Sequence, residues 1–182
     1  MSSVRESLPD VSGLVGETVR LWPYTPELYP PDTLVQLWRL LQADHAASKV
    51  FWARTADPAS DPAPVPFFMA FMAQVILLIP QDLATGEVMG FCWFDDIVFG
   101  HRAAFNMFYR RHWWGHSARE ATALAMGYGH TVMGWPTLWG LTPWALAVQH
   151  GLALGWDHLA VLPGYACIHG RPHDVHILRH GA

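Results

Sequence analysis

Apolar residues recur along this chain at two spacings, and the switch between them marks out alternating strands and helices. Residues 18–24 alternate, with Val19 and Leu21 on one face and Thr18 and Arg20 on the other, which predicts a first strand. Pro30-Pro31-Asp32-Thr33 then opens a helix: Asp32 or Thr33 can cap it, and Leu34, Leu37, Trp38 and Leu41 make one apolar stripe. Residues 55–66, with Ala, Asp, Ser and four prolines, predict an exposed loop, and 67–73 a short helix. Two branched or aromatic runs, 74–79 and 87–99, read as strands joined by a hairpin loop over 81–86, and 101–109 as a further strand after Gly100. Residues 118–133 return to helical spacing, with Ala118, Ala121 and Ala125 forming a small-residue face able to lie close on a sheet, until Gly134-Trp135-Pro136 stops the helix. A short strand (137–141), a short helix (144–154) ended by Gly155, and two strands (158–168 and 175–179) across the turn His169-Gly170-Arg171-Pro172 complete the order.

This order predicts an α/β (α+β) fold: a mixed, mainly antiparallel central sheet flanked by helices. The fourth and fifth strands, which hold Phe105 and Leu138, are joined through a helix. They should therefore run parallel as neighbours, and they splay apart at one end into a V. Residues 1–15 read as an N-terminal extension and 16–182 as a single domain. Between the fourth strand and the Ala-rich helix lies Arg110-Arg111-His112-Trp113-Trp114-Gly115-His116-Ser117-Ala118. A strand, a glycine turn and a helix N-terminus present bare backbone N–H groups, which suit a pyrophosphate.

Composition narrows the function. The chain is 52% apolar and 14% charged with a formal charge of −4, and Lys49 is its one lysine. No basic tract marks a nucleic-acid footprint. The polar first residues lack the centre of a signal peptide, and the longest apolar run, 67–80, is too short for a bilayer span, so a cytoplasmic protein is expected. Cys92 and Cys167 lie in apolar runs and read as buried thiols. His169, His173, His176 and His180 are spread over a turn and a strand, so no metal is expected there.

From about Gly16 to His180 the chain resembles the GNAT acyl-CoA N-acyltransferases. It is most similar to the branch that acetylates ribosomal-protein N-termini and to GNAT-like proteins of tailed phages. Trp114-Gly115 followed by Ala118-Arg119-Glu120-Ala121 resembles that branch's tryptophan-glycine turn and helix start. Thr142-Pro143, Ala147 and Gly155-Trp156 resemble its second signature, and Gly170 to Asp174 its last turn. The resemblance implies acetyl transfer from acetyl-CoA to an unidentified amine, with residues 110–118 and Trp144 on the cofactor. The chain departs from the pattern in four ways. Its turn is one residue shorter, Ser117 replaces a glycine, Trp144 stands for an Asn, and the helix over 144–154 has no tyrosine to protonate a thiolate. The other reading is therefore a catalytically silent scaffold of this fold, a virion or assembly component if phage-encoded. A homo-oligomer is compatible with both readings.

Acyl transfer needs a base for the amine and a polarised carbonyl. Asp95 and Asp96 are the acids of the sheet's apolar middle. Adjacent in a strand, they point to opposite faces, so one can face the cleft, or both can lie at a solvated strand end. Tyr109 and Ser117 are the hydroxyls nearest the turn, candidates for chemistry or for packing and capping. Arg110, Arg111 and His112 can meet CoA phosphates or end a solvated strand. Glu120, in a helix's first turn, reads as a partner of the positive dipole end.

Overall fold

The computed structural model describes residues 14–25, 27, 29–30, 32–52, 65–168 and 170–182. Most of the N-terminal extension (1–15), most of the loop predicted over 55–66, and His169 lie outside them.

The strands are β1 (Leu14–Val15), β2 (Val19–Pro23), β3 (Ile76–Asp82), β4 (Gly90–Val98), β5 (Arg102–Tyr109), β6 (Thr137–Thr142), β7 (Asp157–Ile168) and β8 (Arg171–Gly181). They form one sheet in the order β1-β2-β3-β4-β5-β6-β8-β7, antiparallel except for the parallel pair β5–β6. Helices α1 (Asp32–Ala43), α2 (Ala47–Val50) and α3 (Val65–Met72) precede β3. Helix α4 (His116–Gly127) is the crossover from β5 to β6, and α5 (Ala145–Ala153) follows β6.

Alternation along β4 and β5 divides the core into two layers. Phe91, Trp93 and Phe108 point to one face and pack with Leu34, Leu37, Trp38 and Leu41 of α1 and with Phe68 and Met72 of α3. Cys92, Phe94 and Phe105 point to the other, where Ala125 of α4 and Tyr128 lie over them. The small face predicted for α4 does sit on the sheet: Ala118 and Ala121 pack on Val19 and Tyr109. Past Gly127 the α4 ladder widens into a π-type turn, Tyr128–Val132. Gly129 allows this close approach, since a Cβ there would meet Phe94 and Leu138 at 3.2 Å.

The β5–β6 ladder holds only Arg102↔Thr137, Ala103↔Leu138 and Ala104↔Trp139; beyond Ala104 the two strands part. Trp156 occupies the fork. Its ring lies 6.1 Å from that of Phe105 on one arm, and a Cβ on Gly140 of the other arm would touch it at 3.4 Å. Trp156→Ala should destabilise the protein by ~3–5 kcal/mol, because a large buried ring leaves a cavity. The check is a lowered urea midpoint with an unchanged m-value.

Several sequence expectations needed adjusting. The last strand is twice as long as predicted, because it is hydrogen-bonded to β6 on one side and β7 on the other. Cys92 is fully buried, which pushes its thiol up to about 12, whereas Cys167 is exposed on an edge strand whose outer face nothing covers. Among the described residues no helix is long and apolar enough to cross a membrane.

Candidate active site

The parting of β5 and β6 opens a cleft of about 770 Å³ that passes from one face of the sheet to the other. On the α4 side Tyr109, Trp114, Thr122 and His150 line it; on the α1–α2 side Lys49, Trp52, Trp93, Asn106 and Trp144 do so. Ladder groups of β5 beyond Ala104, which in a closed sheet would bond to β6, are left to this cleft.

At the helix end, Gly115 has φ 118° and ψ −129°, a conformation that only glycine adopts readily, and it caps α4. The N–H groups of His116, Ser117 and Ala118 form the helix's first turn, where no intrahelical acceptor exists. The three basic candidates beside it are not equivalent. Glu87 pairs with Arg110, whose charge is thereby partly met, and lies 3.8 Å from His112. Arg111 is tethered by its backbone N–H to Asp44 at 3.0 Å, while its exposed guanidinium makes no ion pair among the described residues. Trp113 is half-buried against His112, and Trp114 donates its indole N–H to the Tyr109 carbonyl at 2.9 Å.

A buried polar chain lies under this end. The Tyr109 hydroxyl is 3.0 Å from Thr122 Oγ1, which donates to Ala118 O at 2.8 Å and sits 3.0 Å from His150 Nε2. With its proton on Ala118, Thr122 accepts from both neighbours, which places the His150 ring proton on Nε2. Burial, and then nearby Arg119, lowers the His150 pKa below the ordinary histidine value, so the ring is neutral at neutral pH. Burial also holds the Tyr109 phenol protonated, well above its usual range. His150 and Thr122 were not singled out from the sequence, although His150 is the one titratable residue of α5.

The two aspartates occupy different surroundings. Asp96 is exposed on a β-bulge at φ 45°, with Arg102 at 3.7 Å, away from the cleft. Asp95 is half-buried one hydrogen bond behind the cleft wall: it accepts from Trp93 Nε1 at 3.1 Å and from Asn106 Nδ2 at 3.3 Å. A carboxylate only accepts, so Asn106 must turn its NH₂ toward Asp95, leaving Oδ1 without a hydrogen-bond partner among the described residues. Trp144 caps α5 and donates its indole N–H to Lys49 O at 3.0 Å, with its ring 5.9 Å from that of His173. It therefore stands on the α2 side of the cleft rather than with residues 110–118, with which the resemblance had grouped it on the cofactor. The other C-terminal histidines form separate pairs, His180 with His130 and His176 with His158.

Glu120 takes a part that its place in the helix did not suggest. Its carboxylate accepts from the backbone N–H groups of Glu17 and Thr18 and from the Thr18 hydroxyl, holding the β1–β2 turn to α4. Burial alone would raise its pKa, but these hydrogen bonds outweigh burial and lower it. A depressed carboxylate contributes stability that is present above its unfolded value and lost as pH falls through the folded one. Glu120→Gln should therefore lower the urea midpoint at neutral pH, and the difference from wild type should shrink below about pH 4.

No protein-family model matches the chain, and no curated protein matches it in sequence. Solved structures do match it. A probable GNAT-family acetyltransferase from Chromobacterium violaceum superposes with a TM-score of 0.71 at 16% identity, over 93% of this chain and 86% of that one. The ribosomal-protein-S5-alanine acetyltransferase of Vibrio fischeri does so with 0.72 at 12%, over 94% and 97%. The spermidine N-acetyltransferase of Vibrio cholerae, solved with CoA and spermine, gives 0.72 at 15%, over 91% and 96%. The fold is that of the GNAT acetyltransferases. In the GNAT fold as this chain builds it, the splay is the β5–β6 fork, the glycine turn is Gly115, and the crossover helix is α4. None of the three neighbours is a phage protein, so they add nothing to the virion reading.

Proposed function

We propose that this chain transfers an acetyl group from acetyl-CoA to an amine. The observation that carries the reading is the through-going cleft at the β5–β6 fork. It has a bare helix N-terminus near one opening and a carboxylate–carboxamide pair, Asp95 and Asn106, at its other wall. The solved neighbours with this fold support it, one of them holding CoA.

Bound acetyl-CoA supplies the activated thioester. The N–H groups opening α4 and the Arg111 guanidinium suit its pyrophosphate, since both concentrate positive charge and the guanidinium makes no ion pair among the described residues. Ladder groups of β5 freed by the fork are placed to bond an amide-bearing arm as β6 would have done, and an N–H among them to polarise the thioester carbonyl. As the amine nitrogen forms its C–N bond to the thioester carbon, Asp95 takes the amine's proton through a water. The C–S bond breaks, and CoA leaves as the thiolate and is protonated by solvent. Asn106 Oδ1 accepts one of the amine's N–H groups and so orients it.

The test is to incubate the protein with acetyl-CoA and a mixture of mono- and polyamines and amino-acid amides, following free thiol and acetylated product by mass. Product formed in proportion to enzyme supports the proposal. Cofactor binding with no acetylated amine would replace it with the silent scaffold.

A further inference from the structure

We infer that the acceptor is a primary monoamine borne on an aromatic body, and that Trp144 selects it; the inference rests on the acetyl-transfer reading above. The acceptor half of the cleft is walled by Trp52, Trp93 and Trp144. Two of the three indole N–H groups are already engaged, that of Trp93 by Asp95 and that of Trp144 by the Lys49 carbonyl. Trp93 is 2% exposed and stacks on Phe51, so it gives the slot an apolar floor, while the half-buried Trp144 ring lines the slot with no hydrogen-bond donor left to offer. Such a wall gains from dispersion and ring packing, and it would leave a polar chain unsatisfied.

Charge points the same way. With Arg111 given to the cofactor, the described residues lining the cleft offer one carboxylate, Asp44, which accepts from the Arg111 backbone N–H and is matched in charge by Lys49. A polyamine brings several ammonium groups, each needing an anionic or carbonyl partner once out of water. Here a single amine can be received, by Asn106 Oδ1 with Asp95 behind it. One polar anchor at the end of an aromatic slot is the pattern that recognises an arylalkylamine. An aromatic N-terminal residue of a peptide presents the same chemistry.

The experiment measures kcat/KM at saturating acetyl-CoA for 2-phenylethylamine, tryptamine, phenylalanine amide, a Phe-Gly dipeptide amide, propylamine and spermidine. At least one aromatic amine should exceed both propylamine and spermidine about tenfold, the worth of roughly one well-packed apolar contact. The dipeptide arm separates a free arylalkylamine from a peptide N-terminus. In Trp144→Ala the ratio of tryptamine to propylamine should fall about tenfold, and in Trp144→Phe it should largely be kept. A preference for spermidine or propylamine, or a Trp144→Ala variant that lowers all amines by one factor, overturns the inference and leaves acetyl transfer standing. If no amine in the panel is acetylated, the acetyl-transfer reading itself falls, and the inference with it.

Discussion

Asp95→Asn should lower kcat by about 10²–10⁴-fold, the usual worth of a positioned general base, while the affinity for acetyl-CoA stays nearly unchanged. The exchange keeps the size of the side chain and an oxygen to accept from Trp93 Nε1, so the wall it supports should persist. Asp96→Asn is the internal comparison. Asp96 is exposed, sits on a bulge and faces Arg102, and its loss should change kcat by less than about threefold. The two variants differ by one position in sequence, so equal effects from both would dismiss Asp95 as the base.

Acetyl-CoA at a hundred times its dissociation constant should stabilise the folded chain by ~2.7 kcal/mol, through binding the native state alone. For a chain of this length that is a rise in Tm of roughly 5–10 °C. Gly115→Val should abolish the rise. A β-branched residue cannot hold φ 118° without strain, so the turn must reorganise, and the N–H groups opening α4 lose their aim. The position is exposed and its Cβ would meet no neighbouring atom, so the chain should remain folded with a modest loss of Tm. Ala147→Trp approaches the same question from α5 by filling the cleft it lines. A Tm rise with acetyl-CoA that persists in both variants would mean that the cofactor binds elsewhere.

The sequence by itself determined the order of the elements other than the short β1 and α2, the crossover through α4 and the glycine turn, because each is written in local periodicity or in a residue's own dihedral preference. Val19 and Leu21 face inward from β2, the stripe from Leu34 to Leu41 packs as one face of α1, and Gly115 has the positive φ that only its missing side chain makes easy. Local pattern also foretold that the strands of Phe105 and Leu138 would run parallel, since a strand–helix–strand connection within one sheet demands a crossover, whereas their splay was implied by the family resemblance. It underestimated β8, whose polar residues carry no burial rhythm although its backbone is paired on both sides.

Tertiary structure alone decided which side chains meet. Glu120 and Thr18 are 102 residues apart, and His150 reaches Thr122 across 28, so no spacing rule could pair them. Asp95 and Asp96 look alike in sequence. A bulge turns one outward to Arg102, while the regular strand before it carries the other to Asn106 and the cleft wall. Likewise Arg110 and Arg111 are adjacent, yet only the fold brings Glu87 to the first and leaves the guanidinium of the second without an ion pair among the described residues. Periodicity reports how each residue stands to its own element; partners, and with them charge state and chemistry, are set by contacts between elements distant along the chain.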